Sequence, residues 1–131
     1  YRQVAGLVAD EQPDIVVLDP LNTFTNGDLN QDSDMKEVSR LIAQAVRRGN
    51  PERTALIIHH SLTGKAGAQR ATGWDKDSYG RNSKALFNAV RSQWNITRVD
   101  PDDATQLMLT GGKNNDGALL PEIGVTFDED L

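Results

Sequence analysis

The sequence predicts an α/β fold in which a mostly parallel sheet is followed by a C-terminal β-hairpin or meander. Two observations support this prediction. A strand, a helix and a second strand follow one another over residues 14–60, and three shorter strand patterns occupy the chain from residue 94 onward. A strand–helix–strand unit forms a right-handed parallel crossover. The carboxyl ends of strands in such a sheet are where functional groups collect.

Length and composition narrow the classes of protein to which the chain can belong. With 131 residues, 37% of them hydrophobic, the chain is long enough for one domain over residues 1–131. It contains no cysteine, which excludes disulfides and thiolate metal sites and fits a reducing cytoplasm. The net charge of −5 argues against nucleic-acid binding through overall charge, although a local basic loop stays open. No apolar run reaches the roughly 18 residues of a membrane helix, so we expect a cytoplasmic protein without a membrane partner.

The first half of the chain alternates helix and strand. Apolar residues at helical spacing predict a helix that ends before Pro13, because the residue before a proline avoids the α region. Residues 14–18 are a short, β-branched apolar run, typical of a strand buried on both faces. Residues 54–60 are a second such strand. Between the two strands lies a predicted helix with an apolar face formed by Met35, Val38, Leu41, Ile42, Ala45 and Val46.

The second half of the chain begins with a polar, glycine-containing stretch over residues 62–81. A helix is predicted next over residues 82–93, where apolar residues recur with helical spacing. The remaining strand patterns predict a hairpin or meander that turns around residues 113–118. These strands are predicted at residues 94–100, 105–112 and 119–127.

Polar side chains directly follow both buried strands. Asp19 ends the first strand, and His59 and His60 end the second. Because neighbouring parallel strands end at the same edge of a sheet, where such folds place functional groups, Asp19 is a candidate site residue. The alternative is that Asp19 only caps the turn made by the Asp–Pro dipeptide, as aspartate commonly does.

Several segments together resemble one family of ATPases. The residues IVVLD at 15–19 look like the Walker B strand of P-loop ATPases. VVLDPLNTF, LIIHH, GRNSKALFNAVRSQW and GGKNNDG, in this order, resemble the RecA-like ATPase core of plasmid- and phage-type hexameric replicative helicases. The resemblance spans nearly all of the chain. It implies a three-layer RecA-like core, ATP and Mg²⁺ as cofactors, a hexameric ring of identical subunits, and single-stranded nucleic acid, with DNA favoured, as the partner.

The resemblance also implies roles for individual residues. Asp19 would hold Mg²⁺ through its water shell and so help to bind ATP, and His60 with His59 would sense the γ-phosphate. Lys113 would reach into the nucleotide site of the neighbouring subunit, with Arg91 as a second candidate for such a finger. The alternatives stay open. Only one of two consecutive strand residues faces a nucleotide, Lys113 suits an ordinary turn, and Arg91 suits a surface cation near a helix C-terminus.

A phosphate-binding loop is missing from these residues. Such a loop requires Gly-x-x-x-x-Gly-Lys-Ser/Thr, whereas the nearest match, GK at 64–65, has His59 at the first glycine position and Ala66 in place of the hydroxyl. We therefore expect an N-terminally truncated, C-terminal part of an ATP-hydrolysing, nucleic-acid-translocating helicase, which alone does not hydrolyse ATP. The alternative is a catalytically inactive RecA-like protein that binds nucleic acid or has a regulatory role.

The stretch over residues 62–81 is the candidate nucleic-acid interface. It holds four basic and two acidic residues, a local net charge of +2 in a chain of net charge −5. Cations bind the phosphate backbone and aromatic rings stack on bases. The alternative is a solvated loop whose aromatic side chains lie against the domain. The predicted nucleic-acid contacts are Lys65, Arg70, Trp74 and Arg81.

Overall fold

The computed structural model divides into two compact units, Tyr1–His60 and Ser61–Leu131. The first unit contains a two-stranded sheet and the second a three-stranded sheet. Within the described stretches, every helix is too short or too polar to span a bilayer. The residues that the structure describes are 1–26, 28–29, 31–60, 84–100 and 102–128.

The first unit is a helix followed by a strand–helix–strand crossover. Helix α1 spans Arg2–Glu11 and ends where Gln12 adopts a left-handed conformation with φ of 48°, just before a proline. A short 3-10 helix lies between the first strand and the long helix. In chain order, the remaining elements are β1 at Ile15–Leu18, the 3-10 helix at Leu21–Phe24, α2 at Asp32–Arg47 and β2 at Thr54–Ile57.

The amphipathic helix α2 and the two strands form the core of the first unit. β1 and β2 are parallel, with Leu18 opposite Ile57, which confirms the predicted parallel pairing of these strands. Leu18 and Leu21 are 2% and 0% exposed. Burying a large apolar side chain contributes about 1.5–3 kcal/mol, so the apolar face of α2 contributes substantially to the stability of this unit. Its buried residues are Met35, Val38, Ile42, Ala45 and Val46.

The buried side chain of Arg53 forms hydrogen bonds to the C-terminal end of α2 and to the segment between α1 and β1. Arg53, only 2% exposed, donates from Nη1 to the carbonyl oxygens of Val46 at 3.0 Å and Arg48 at 3.2 Å. Its Nη2 donates to Oε1 of Gln12 at 3.0 Å, and its Nε donates to the carbonyl oxygen of Pro13. The guanidinium thereby satisfies carbonyl groups that the C-terminal end of α2 leaves without helical partners.

The second unit is a three-stranded antiparallel sheet with a short helix. The sheet order is β3-β4-β5, and each neighbouring pair is antiparallel. The predicted helix over residues 82–93 is shorter among the described residues, because Ser92 already pairs with Asn114 in the sheet. The element bounds are α3 at Lys84–Ala89, β3 at Ser92–Asp100, β4 at Asp103–Asn114 and β5 at Ile123–Thr126.

The predicted RecA-like three-layer core with a mostly parallel sheet is wrong. The described residues form a two-stranded parallel sheet and a separate three-stranded antiparallel sheet. Parallel strands need a crossover of about a dozen residues or more. The connections from β3 to β4, across residues 101–102, and from β4 to β5, across residues 115–122, are shorter than that. Both connections therefore favour antiparallel pairing.

One face of the parallel sheet is exposed, although the sequence predicted burial on both faces. Ile15, Val17, Leu56 and Ile58 share this face and are 61, 52, 51 and 40% exposed. Leu18, on the opposite face, is buried. A short apolar run indicates a strand, but it does not distinguish one buried face from two.

Candidate functional site

The carboxyl edge of the parallel sheet brings predicted site residues to neighbouring strand ends. Asp19 directly follows β1, and His59 and His60 lie shortly after β2. Because Leu18 pairs with Ile57, the two strands end at the same level. The chain segments that carry Asp19 and the two histidines therefore begin next to each other at this edge of the sheet.

Two backbone hydrogen bonds hold the segment that carries Asp19. The N–H of Ile58 donates to the carbonyl oxygen of Leu18 at 2.9 Å, and the N–H of Leu21 donates to the carbonyl oxygen of Ile58 at 2.8 Å. The Asp19–Pro20 peptide bond between these two contacts is cis. Residues on both sides of Asp19 are thus bonded to one residue beyond β2.

The pattern of exposure places Asp19 and His60 on the same face. Exposed and half-buried residues alternate over residues 54–60; His60 is exposed, as Asp19 is, whereas His59 is half-buried. Val17 lies opposite Leu56 on the exposed face, and Asp19 and His60 follow at even spacing from these two residues. Of the two predicted histidines, His60 is the one that shares a face with Asp19.

The carboxylate of Asp19 is a group at this edge that could bind a metal ion. Across the part of the chain that the structure describes, no group of three or more histidine or acidic side chains is placed to hold a metal ion. Mg²⁺ is usually bound through one or two carboxylates, with water and phosphate oxygens in the other positions. The carboxylate of Asp19 is therefore a ligand of the kind that Mg²⁺ uses beside water and phosphate oxygens.

Lys113 lies against the C-terminal end of α3 in its own unit. Its Nζ donates to the carbonyl oxygen of Phe87 at 2.7 Å and to that of Asn88 at 3.4 Å. The same Nζ is 4.9 Å from the centre of the Phe87 ring. A cation in this position neutralises the negative end of a helix and interacts with the face of the ring. The role predicted for Lys113 in a neighbouring subunit would require it to leave these contacts.

Arg91 forms a bidentate ion pair with Asp116. Arg91 directly precedes β3, and Asp116 lies two residues after the end of β4. Its Nε donates to Oδ2 of Asp116 at 3.2 Å, and its Nη2 donates to Oδ1. The hydrogen bond from Arg91 lowers the pKa of Asp116, and the bond to Asp116 raises the pKa of Arg91. Asp116 was not singled out from the sequence, where Asn-Asp-Gly indicates only a turn. The other predicted finger candidate is therefore also paired within the second unit.

The predicted nucleic-acid contacts cannot be placed beside these side chains. Lys65, Arg70, Trp74 and Arg81 all lie outside the described residues. The described site is therefore the edge formed by Asp19 and His60, with Lys113 and Arg91 engaged elsewhere in the chain.

Comparison with known proteins identifies no family for the chain. No protein-family model matches the chain, and no curated protein matches it either.

Proposed function

We propose that this chain is part of an ATP-hydrolysing motor that translocates single-stranded nucleic acid, of the replicative DNA helicase type. In this proposal the motor acts in the cytoplasm as a hexameric ring, and residues 1–60 supply the edge at which Mg²⁺-ATP binds. The observation that supports it most directly is the position of Asp19 and His60 at neighbouring ends of parallel strands, on one face. Open α/β sheets bind ligands at this edge.

Each residue at the edge has a distinct part in the proposed chemistry. The carboxylate of Asp19 accepts hydrogen bonds from water molecules on Mg²⁺ and so positions the metal against the nucleotide phosphates. The imidazole of His60 donates a hydrogen bond to the γ-phosphate, where negative charge is redistributed during transfer. The sequence holds no Gly-x-x-x-x-Gly-Lys-Ser/Thr. In this proposal Asp19 and His60 therefore contact the metal ion and the γ-phosphate, and they do not replace a phosphate-binding loop.

Replacing Asp19 with asparagine tests the metal role. Asparagine keeps the size of the side chain but removes its charge, so we expect the affinity for Mg²⁺-ATP to fall at least tenfold, or about 1.4 kcal/mol. The affinity is measured by NMR titration of the chain with ATP and Mg²⁺. With Mn²⁺ in place of Mg²⁺, paramagnetic broadening should be strongest at the backbone amides of Asp19 and His60.

Asp14→Asn is the matched control for this titration. Asp14 is also an exposed aspartate, but it lies before β1, at the opposite end of the strand from Asp19. The control variant should bind Mg²⁺-ATP as the unmodified chain does. Equal affinity in the Asp19→Asn variant, or broadening centred on Asp14, would contradict the proposed role of Asp19.

A second candidate function is a catalytically inactive protein that binds nucleic acid or regulates a partner. The contacts of the two finger candidates favour it. Lys113 is bonded to the carbonyl oxygen of Phe87, and Arg91 is paired with Asp116. Cations held within their own unit do not reach a neighbour's phosphates without breaking these contacts. This candidate predicts retained binding of single-stranded nucleic acid with no Mg²⁺-dependent binding of ATP in the same titration.

A further inference from the structure

The turn after β4 is held by the side chain of one asparagine. Asn114 accepts a hydrogen bond at Oδ1 from the N–H of Asp116 at 3.1 Å, and its Nδ2 donates to the carbonyl oxygen of Ala118 at 2.9 Å. The N–H of Asn115 donates to the carbonyl oxygen of Arg91 at 2.9 Å. These bonds present an Asp–Gly pair, Asp116 followed by Gly117, in an exposed turn.

An exposed Asp–Gly pair can undergo a defined backbone reaction. The backbone nitrogen of Gly117 attacks Cγ of Asp116, a new C–N bond forms, and one carboxyl oxygen leaves as water. Water then opens the resulting succinimide at either carbonyl, and one of the two products is isoaspartate, with no net change in mass. Glycine promotes this attack because it has no Cβ beside its nitrogen. The protonated carboxyl is the better electrophile, because it can lose an oxygen as water, whereas an ionised carboxylate would have to lose an oxide ion.

The ion pair with Arg91 opposes both requirements of this reaction. The guanidinium fork binds both oxygens of Asp116 and so restrains the rotation that would turn Cγ toward the nitrogen of Gly117. The same hydrogen bonding lowers the pKa of Asp116 and so favours the ionised, less electrophilic form of the carboxyl. We propose that Asp116–Gly117 is an isoaspartate-forming modification site and that the Arg91 ion pair suppresses its conversion. This inference does not depend on the proposed function.

Arg91→Ala tests the protection. The variant and the unmodified chain are aged at neutral pH, and isoaspartate is quantified by enzymatic methyl transfer and by mapping of the tryptic peptide 114–131. Trypsin releases this peptide after Lys113 in both proteins. Isomerised Asp116 elutes separately at unchanged mass, whereas deamidation of Asn114 or Asn115 raises the mass. We expect severalfold faster isomerisation in Arg91→Ala and a smaller increase in Arg91→Lys, which keeps one cation.

Two further variants separate protection from a general loss of structure. Arg40→Ala removes the exposed Arg40–Glu37 pair of α2 and should leave the isomerisation rate at Asp116 unchanged. Gly117→Ala is sterically tolerated, because a Cβ there would lie 3.6 Å from Nδ2 of Asn114, an ordinary contact distance. Combined with Arg91→Ala, it should abolish the acceleration.

Three outcomes would overturn the inference. The first is equal isomerisation rates in Arg91→Ala and the unmodified chain. The second is acceleration that survives in the Arg91→Ala, Gly117→Ala double variant. The third is a matching rise in deamidation at the Asn26–Gly27 dipeptide of Arg91→Ala, which would indicate general unfolding as the cause.

Discussion

Arg53 is a buried cation whose partners are carbonyl and amide oxygens. Three of its acceptors are main-chain carbonyl oxygens, two of them, from Val46 and Arg48, at the C-terminal end of α2. The partial negative charge at a helix C-terminus favours a cation there. Buried cations normally need a paired anion or hydrogen bonds, and the guanidinium of Arg53 donates four hydrogen bonds. From the sequence alone, an arginine between a turn and a strand looks like a surface residue.

Replacing Arg53 with lysine should lower the free energy of unfolding. Lysine has no planar fork, so at least one carbonyl oxygen near Val46 loses its partner, at a cost of about 1–3 kcal/mol for each buried unsatisfied group. Urea unfolding followed by circular dichroism measures the change. Arg48→Ala is the control, because the side chain of Arg48 is exposed at the same corner. Identical midpoints for Arg53→Lys and the unmodified chain would show that the fork is dispensable.

The sequence indicated the position of some candidate site residues but not the partners of others. Asp19 and His60 each end a short apolar strand, and this local pattern is visible without a structure. Lys113 and Arg91 meet partners 26 and 25 residues away in the chain. Those contacts depend on the register between β3 and β4, which strand pattern alone leaves undefined.

Among the elements, the β3–β4 hairpin has a turn built from aspartate side chains. Oδ1 of Asp103 accepts from the backbone N–H of Thr105 at 2.8 Å and from its hydroxyl at 2.6 Å. Oδ1 of Asp100 accepts from the N–H of Asp102 at 2.9 Å. Hydrogen bonds to the ionised form stabilise it, and the hydroxyl of Thr105 is the main cause of a lowered pKa at Asp103.

The hairpin should therefore respond to acid in a predictable direction. Because the pKa of Asp103 is lowered in the folded state, its stabilisation is present above the ordinary value of about 3.9 and is lost as the pH falls through the folded value. Thr105→Val should move the pKa of Asp103 upward, as measured by NMR titration of its carboxyl carbon. Thr105→Ser keeps a hydroxyl and should retain the lowered pKa. An unchanged titration in Thr105→Val would contradict this assignment.

Element prediction succeeded where one period dominated the pattern. The apolar spacing along residues 32–47 is helical throughout, and α2 forms there. The helix expected over residues 82–93 ends at Ala89 because the segment after it joins the sheet, with Ser92 opposite Asn114. Pairing with a distant strand overrode local helical spacing in this segment.

At the scale of the whole molecule, both sheets carry an exposed apolar face. In the first unit it includes Val17 and Leu56, and in the second Trp94, Ile96 and Ile123 are 39, 61 and 44% exposed. The fold class was mispredicted at this scale, because it depends on which strands pair, and the short connections of the second unit favour antiparallel pairs. Apolar strand patterns specify neither the pairing nor what covers each face.

The exposed face of the first unit should promote self-association. Contiguous apolar surface on a sheet attracts other chains. We expect the mass of the particle to rise with protein concentration in sedimentation experiments, and Leu56→Lys to reduce this rise. Gln44→Lys, which adds the same charge on the exposed side of α2, is the control and should associate as the unmodified chain does. A monomer at every concentration would contradict the prediction.

The double contact at Ile58 has a mechanical consequence. Its N–H donates a hydrogen bond to Leu18, before Asp19, and its carbonyl oxygen accepts one from Leu21, after Asp19. A shift of the segment after β2 that carries His60 would therefore pull both ends of the Asp19 segment in the same direction. The backbone segments that carry the carboxylate and the imidazole would then be displaced together, because two hydrogen bonds of a single residue join them.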